Sequence, residues 1–277
     1  MEILNWQEIK LWFPKRNRDS NKSDFGHILV IGGDYGMGGA VRMAAEAAMR
    51  TGAGLVSVAT QAEQLSIVSG PRPEIMCHSV KKSEELAPLF AKATVCVVGP
   101  GLGTSQWSRN LLSAIWQVPE PKIVDADGLN LLAENPHNDP NWILTPHPGE
   151  ASRLLKCTVS EIQQDRIGSI QKLQKQYGGV VVLKGQGTLV YDGSRSPKIC
   201  PAGNPGMSSG GMGDVLSGVI GGLVAQGFTL TKAAQAGVLI HSMAADYAAK
   251  DYGERGLIAT DLFPYLRVLV NNNSWSL

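Results

Sequence analysis

Between Gly203 and Asp214 the chain reads Gly-Asn-Pro-Gly-Met-Ser-Ser-Gly-Gly-Met-Gly-Asp, and the apolar, helix-like run Val215-Leu216-Ser217-Gly218-Val219-Ile220 follows. Glycines let backbone N–H groups crowd around an anion, and a helix N-terminus adds positive partial charge. A carboxylate does not belong in a nest built only for phosphate, because it repels the anion. It fits a phosphoryl-transfer site, where the loop amides hold the moving phosphoryl group and Asp214 takes a proton from the attacking hydroxyl. The same residues also read as an N-capping aspartate after a flexible turn.

Further chemically capable groups each stand after a short apolar run. Lys184-Gly185-Gln186-Gly187-Thr188 offers a cation, two glycines and a hydroxyl, suited to nucleotide phosphates or ribose, or to a plain β-turn. It is not a Walker A loop, which needs G-x-x-x-x-G-K-[ST]. Asp125 and Asp127 are oxygen donors of the kind that bind Mg²⁺, and Asp127 equally reads as the cap of a helix starting at Gly128. His147 and Glu150 flank a Pro-Gly turn. His147 could donate to a phosphate or stack on a ring, and Glu150 could hold a metal-bound water. The alternatives are a satisfied structural histidine and a first-turn glutamate favoured by the helix dipole. Gly32–Ala40 resembles a dinucleotide loop but is not G-x-G-x-x-G, and no acidic residue ends the strand near Ala59, so a Rossmann NAD site has little support. It reads either as a loop that lets backbone approach a ligand or as a plain turn. Gly99-Pro100-Gly101-Leu102-Gly103 has three glycines in five residues, as where something large passes close to the backbone.

These groups need elements that bring them together. Strands are predicted at 27–31, 55–59, 94–98, 122–125, 142–144, 180–183 and 188–191, several of them continuous apolar runs of the kind covered on both faces. Helices are predicted at 39–51, 105–116, 160–177, 214–225, 231–250 and 261–270. The alternation argues for an α/β sandwich with a mostly parallel central sheet, and only the 180–191 pair looks like a hairpin. Ligands in such folds bind at the carboxyl ends of the strands. The polar and glycine-rich groups are therefore expected on one rim, with Gly210–Asp214 joining them.

The 277 residues contain nothing that looks like a linker, so one domain over 1–277 is expected, with 1–25 as an N-terminal extension before the first strand. A formal net charge of +1 implies neither a nucleic-acid nor a membrane partner. The one basic cluster, Lys15-Arg16-Asn17-Arg18, reads as solvated surface. Cys77, Cys96, Cys157 and Cys200 form no Cys-x-x-Cys pair, which argues against a metal knuckle and a disulfide framework, and Cys96 is expected in the core. With no apolar leader at the N-terminus and with 215–225 too short to span a bilayer, a cytoplasmic location is expected. His27, His78, His137 and His241 carry no context that assigns them.

Taken together, the motifs resemble the ADP-dependent NAD(P)HX dehydratases of the ribokinase-like superfamily, from about Lys22 to Asp261. The carrying segments are Val30–Ala40, Val98–Gly103, Asp125–Asn130, Leu144–Glu150, Val182–Gly185, Asn204–Leu216 and Gly253–Asp261, and Gly-Gly-Met-Gly-Asp paired with Thr-Pro-His-Pro-Gly-Glu is the most specific combination. Two departures stand outside the proton-transfer residues: Asn21-Lys22-Ser23 where His-Lys-Gly is usual, and Ser208 where Ala is usual.

The resemblance implies a three-layer α/β/α sandwich and a repair reaction. NADHX and NADPHX are hydrated, dead-end forms of the reduced nicotinamide cofactors with a hydroxyl on C6. Phosphorylating that hydroxyl makes it a leaving group, and the ring nitrogen lone pair expels phosphate. In that family ADP is the usual donor, acting with Mg²⁺. The resemblance makes Asp214 the base and assigns the amides of Gly211, Met212 and Gly213 to the transferring phosphoryl. It assigns Lys184, Gly185, Gln186, Gly187, Thr188 and Gly213 to the nucleotide, and Ala40, Gly103, His147 and Asp214 to the hydrated dinucleotide. The wider superfamily often has Asn where His147 stands, in an Asn-x-x-Glu motif associated with Mg²⁺, so Glu150 rather than His147 is the metal candidate. A homo-oligomer, a tetramer by analogy, is implied too. Family members are often fused to an N-terminal epimerase, and the short segment before the first predicted strand leads to the expectation of a separate NAD(P)HX epimerase. An ATP-dependent vitamin-precursor kinase of the same fold is the alternative reading, and a catalytically silent nucleotide-binding regulator is a third.

Overall fold

Successive strand residues point into opposite apolar layers. Ile28 and Val30 join one hydrophobic cluster while Leu29 and Ile31 join another, and Val95 and Val97 separate from Cys96 and Val98 in the same way. A sheet buried on both faces needs such continuous apolar runs. The computed structural model describes residues 2–271. Met1 and 272–277, which the single-domain expectation also covers, lie outside the described residues.

The strands are β1 (Glu2–Ile3), β2 (His27–Ile31), β3 (Leu55–Thr60), β4 (Met76–Ser79), β5 (Val95–Val98), β6 (Lys122–Val124), β7 (Trp142–Leu144), β8 (Val180–Leu183), β9 (Leu189–Tyr191) and β10 (Lys198–Ile199). They form one sheet in the order β1-β10-β9-β8-β7-β6-β5-β2-β3-β4. Only β9 runs antiparallel to its neighbours, and the β8–β9 hairpin is the predicted one. Helices Gly38–Thr51, Met212–Ala225, Leu230–Tyr252 and Leu262–Leu269 cover one face. Helices Gln106–Ile115, Ala126–Glu134, Pro148–Leu155 and Arg166–Tyr177 cover the other. The result is the expected three-layer α/β/α sandwich. Among the described residues no helix is long and apolar enough to cross a membrane.

Several expectations need correction. Residues 2–25, expected as an N-terminal extension before the first strand, add a strand to the sheet: β1 pairs with β10, and Leu4 and Ile9 are buried in the core. Arg16 is more than solvated surface, since its guanidinium donates to Gly52 O at 2.6 Å and stacks on the Phe25 ring. The helix predicted over 160–177 is two helices, Val159–Gln164 and Arg166–Tyr177, broken at Asp165, whose carboxylate caps the second by accepting from Gly168 N. β4 and β10 escape the apolar-run criterion because they are short and half-polar.

The helix Met212–Ala225 carries the glycine loop at its N-terminus and is pressed onto Gly38–Thr51 through glycines. A Cβ on Gly218 would collide with the Ala44 carbonyl, and one on Gly222 with the Thr51 hydroxyl. Alanine gains about 1 kcal/mol of helix propensity over glycine, but overpacking against unyielding backbone costs about 1–3 kcal/mol. Collision is expected to win. Gly218→Ala should lower the urea midpoint, and an unchanged or higher midpoint would show that the two helices separate freely.

Candidate active site

Backbone hydrogen bonds sew the strand-end loops together. Gly33 N donates to Pro100 O at 3.1 Å and Asp34 N to Gly101 O at 2.7 Å. Gly103 N donates to Asp127 Oδ2 at 2.8 Å. The helix after β6 begins at Ala126, not Gly128, and Asp127 does not cap it. Asp127 reaches instead to the β5 loop and to Asn130, which corrects the capping expectation. Between the two aspartates Ala126 holds φ +47°, a left-handed conformation that costs a non-glycine residue about 1–3 kcal/mol. It sends the two carboxylates in different directions.

Asp125 turns inward and is 1% exposed. Its Oδ1 lies 2.6 Å from Lys184 Nζ, and its Oδ2 accepts from Ser217 Oγ at 2.6 Å. Burial alone would raise this carboxyl, but the Lys184 ammonium and the Ser217 hydroxyl outweigh it and hold the group below its usual range. Lys184 therefore does not project freely from its loop. It sits among carboxylates, with Glu150 Oε2 at 3.6 Å, and despite the burial penalty Asp125 and Glu150 raise its pKa. The loop after it is pinned by Arg166, whose guanidinium donates to the carbonyls of Leu183, Lys184 and Gly187. The Thr188 hydroxyl closes the turn on Gly185 O at 2.9 Å, and Gln186 is exposed at the tip.

The glycine loop ends in Gly211, at φ +90°, which is the N-cap residue. Asp214 is thus the third helical residue, and the N-capping reading of it is excluded. No side chain caps this helix, and the first-turn amides of Met212, Gly213 and Asp214 have no intrahelical acceptor. They stand at the end of a 14-residue helix, where the open amides and the helix dipole favour an anion. Gly213 packs closely over the pair: a Cβ there would lie 3.2 Å from Lys184 Nζ and 3.4 Å from Asp125 Oδ2, so the ammonium would have to yield slightly. The Asp214 carboxyl is pushed up to about 7, chiefly by burial and by the Asp125 charge, against the opposing pull of Lys184.

His147 and Glu150 form a capping box on the helix Pro148–Leu155. Gly149 N donates to His147 Nδ1 at 2.9 Å, and His147 N donates to Glu150 Oε2 at 2.7 Å. The structural reading of both is therefore realised. It leaves the proton on Nε2 of an exposed ring, 3.4 Å from Glu150 Oε1. Glu150 is 5% exposed, and burial raises its carboxyl to about 7. His241, unassigned from sequence, is buried, and burial pushes its pKa down to about 4 and keeps it neutral, against the opposing effect of the Met212 backbone. A groove of about 540 Å³ lined by Leu155, Cys157, Glu161, Asp165 and Lys172 lies on the outer helices and shares no residue with the rim.

A family model for NAD(P)H-hydrate dehydratase (Carb_kinase) matches residues 28–267. The chain belongs to the NAD(P)H-hydrate dehydratase family. It is 63% identical to the bifunctional NAD(P)H-hydrate repair enzyme of Coxiella burnetii over 97% of this chain and 55% of that protein. It is 38% identical to the ADP-dependent (S)-NAD(P)H-hydrate dehydratase of Neisseria meningitidis over 94% of this chain and 90% of that one. It thus spans about half the length of the bifunctional relative. Among solved structures, a ribokinase-like superfamily protein of Enterococcus faecalis superposes with a TM-score of 0.88 at 29% identity, covering 99% of this chain and 96% of that one. The fold is ribokinase-like, and family membership leaves the vitamin-precursor kinase reading with less support.

The dehydratase family's motifs thus converge on one rim. Ala40 lies beside Gly101, Gly211 against Met43, and Gly213 over the Lys184–Asp125 pair. Sequence reasoning missed Arg166 and Ser217. Ser217 follows the glycine loop but serves Asp125, 92 residues away, and Arg166 stands in a helix with no motif of its own. The raised Asp214 pKa has a consequence for stability. From its ordinary 3.8 up to about 7 the folded carboxyl keeps a proton that the unfolded chain has released. Stability therefore falls across that window, and the cost is complete above it. Asp214→Asn escapes this cost. Its melting temperature should exceed the parent's at about pH 8, with the gain vanishing toward about pH 4. A pH-independent difference would show that Asp214 titrates normally.

Proposed function

We propose that this chain is an ADP-dependent NAD(P)H-hydrate dehydratase. The carrying observation is Asp214: an uncapping, half-buried carboxyl with a pKa of about 7, placed in the first turn of an open helix N-terminus. Such a group can accept a proton near neutral pH while the adjacent amides hold a phosphoryl group. The name of the Neisseria relative supports ADP as donor and the hydrate as substrate.

In this reading Asp214 takes the proton of the C6 hydroxyl as the hydroxyl oxygen attacks the β-phosphorus of ADP, and AMP leaves. The amides of Gly211, Met212 and Gly213 stabilise the transferring group, with the Lys184 ammonium beneath them. The ring nitrogen lone pair then expels phosphate from C6, and loss of a proton from C5 restores the dihydronicotinamide. The products are NAD(P)H, AMP and phosphate. Ala40, Gly103 and His147 Nε2–H would line the dinucleotide side, and the Arg166-pinned loop Lys184–Thr188 the nucleotide side. Among the described residues no three His, Cys, Asp or Glu side chains form a metal cage. Glu150 has one oxygen, Oε1, with only the His147 ring nearby at 3.4 Å. That suits Mg²⁺ held through one carboxylate and water and completed by the phosphates, whose charge the ion would neutralise. A cytoplasmic homo-oligomer working with an NAD(P)HX epimerase belongs to the same reading. The support for the epimerase is that relatives of about twice this length are named bifunctional repair enzymes.

The test is to incubate the protein with NADHX and ADP or ATP and follow the return of dihydronicotinamide absorbance. Turnover with ADP should exceed that with ATP, and a stable phosphate ester in place of free phosphate would make the protein a kinase. Asp214→Asn should cost about 10²–10⁴-fold in rate and leave ADP binding intact by calorimetry. A fully active variant would remove Asp214 from the chemistry. Because the base must be ionised, kcat/KM should rise with pH through about 7, as a macroscopic step shared with Glu150. A profile flat through that range would contradict the assignment.

A further inference from the structure

Lys184 has three carboxylates to choose from. Asp125 Oδ1 lies 2.6 Å from its ammonium and Glu150 Oε2 3.6 Å, while Asp214 is near enough for its charge to act on the ammonium but forms no ion pair with it. An ammonium on a flexible four-carbon stem goes where geometry favours it. Here the geometry is built around Asp125. The left-handed Ala126 backbone turns that carboxylate inward, away from Asp127. Ser217 Oγ lies 2.6 Å from Asp125 Oδ2 and 2.9 Å from Gly213 O. Its single proton goes to the charged, closer acceptor. Ser217 therefore holds Asp125 directly under the first turn, and the missing Cβ of Gly213 leaves room for the ammonium.

We propose that Asp125 is a positioning residue: held by Ser217, it draws the Lys184 ammonium under the Gly213 peptide and away from Asp214, so that the cation faces the bound phosphates while the base stays unpaired. The inference rests on Asp214 being the base. Asp125 itself touches no reactant. An Asp214 paired with Lys184 would lose proton affinity and become a weaker base, and the cation would leave the floor of the anion site.

Asp125→Asn tests this, since it keeps the shape and the Ser217 hydrogen bond and removes the charge. Its crystal structure should show Lys184 Nζ within hydrogen-bond distance of Asp214. In solution kcat should fall by at least about tenfold, by a larger factor than the ADP dissociation constant rises as the cation leaves the phosphates. Ser217→Ala, which keeps the charge but loosens it, should show the same split to a smaller degree, and it serves if the first variant does not fold. An ammonium that stays beside residue 125, or turns only to Glu150, overturns the inference whatever the rate. An unchanged kcat despite the move overturns it too, as does a loss confined to ADP affinity. If the parent protein does not turn over NADHX, the dehydratase reading falls, while the Lys184 position in the variant still decides whether Asp125 restrains it.

Discussion

One ammonium group balances a pocket of carboxylates. Lys184 Nζ contacts Asp125 and Glu150 and lies within electrostatic reach of Asp214. The arrangement is asymmetric: among the described residues Asp125 pairs with no other cation, whereas Lys184 has other acids. A buried ion pair rarely stabilises a fold more than well-packed apolar residues would, yet leaving one member alone costs about 3–5 kcal/mol. The pair is thus better explained by chemistry than by stability. The pocket sets two aspartates apart: Lys184 keeps Asp125 ionised, while burial first and the Asp125 charge second raise Asp214 against the pull of Lys184. Environments that drive two carboxyls apart in this way separate a fixed charge from a working base.

The rest of the architecture serves that pocket. The anion site stands on a long helix rather than on a free loop, and that helix is pressed into Gly38–Thr51 where Gly218 and Gly222 leave no space for a side chain. The start of the glycine loop is tied down separately, since Asp246 accepts from Gly203 N at 2.9 Å and from Asn204 Nδ2 at 2.8 Å. Arg166 fixes the opposite wall through three carbonyls. Rigid elements thus place the first-turn amides, the Lys184 ammonium and the Asp214 carboxyl, as the proposed phosphoryl-transfer site requires.

Much of this was legible in the sequence because local signals carried it. Continuous apolar runs marked the interior strands, and the strand-end rule gathered Gly103, His147, Lys184 and Asp214 on one rim. What was not legible is what only long-range contact decides. Asp127 looks like a cap because capping is a local pattern, but its carboxylate serves Gly103, 24 residues away. Lys184 looks like a free phosphate-binding cation until Asp125 is seen beside it. β1 and β10 are two residues each and carry no periodicity. The break at Asp165 passed unnoticed because apolar spacing continues across it, and Ser217 looked like one polar residue in an apolar helix.

The separation of these partners along the chain also bears on how the protein is made. Asp125 precedes Lys184 by 59 residues and Ser217 by 92. At a ribosomal pace of about 5–20 residues per second, the carboxylate emerges roughly 3–12 s before its counter-ion. Throughout that interval β6 cannot take its final buried place without stranding a charge. Until Lys184 arrives, the Asp125 carboxylate stays hydrated or takes up a proton. The Asp125–Lys184 pair therefore joins two segments made seconds apart, and it can close only after synthesis has passed Lys184.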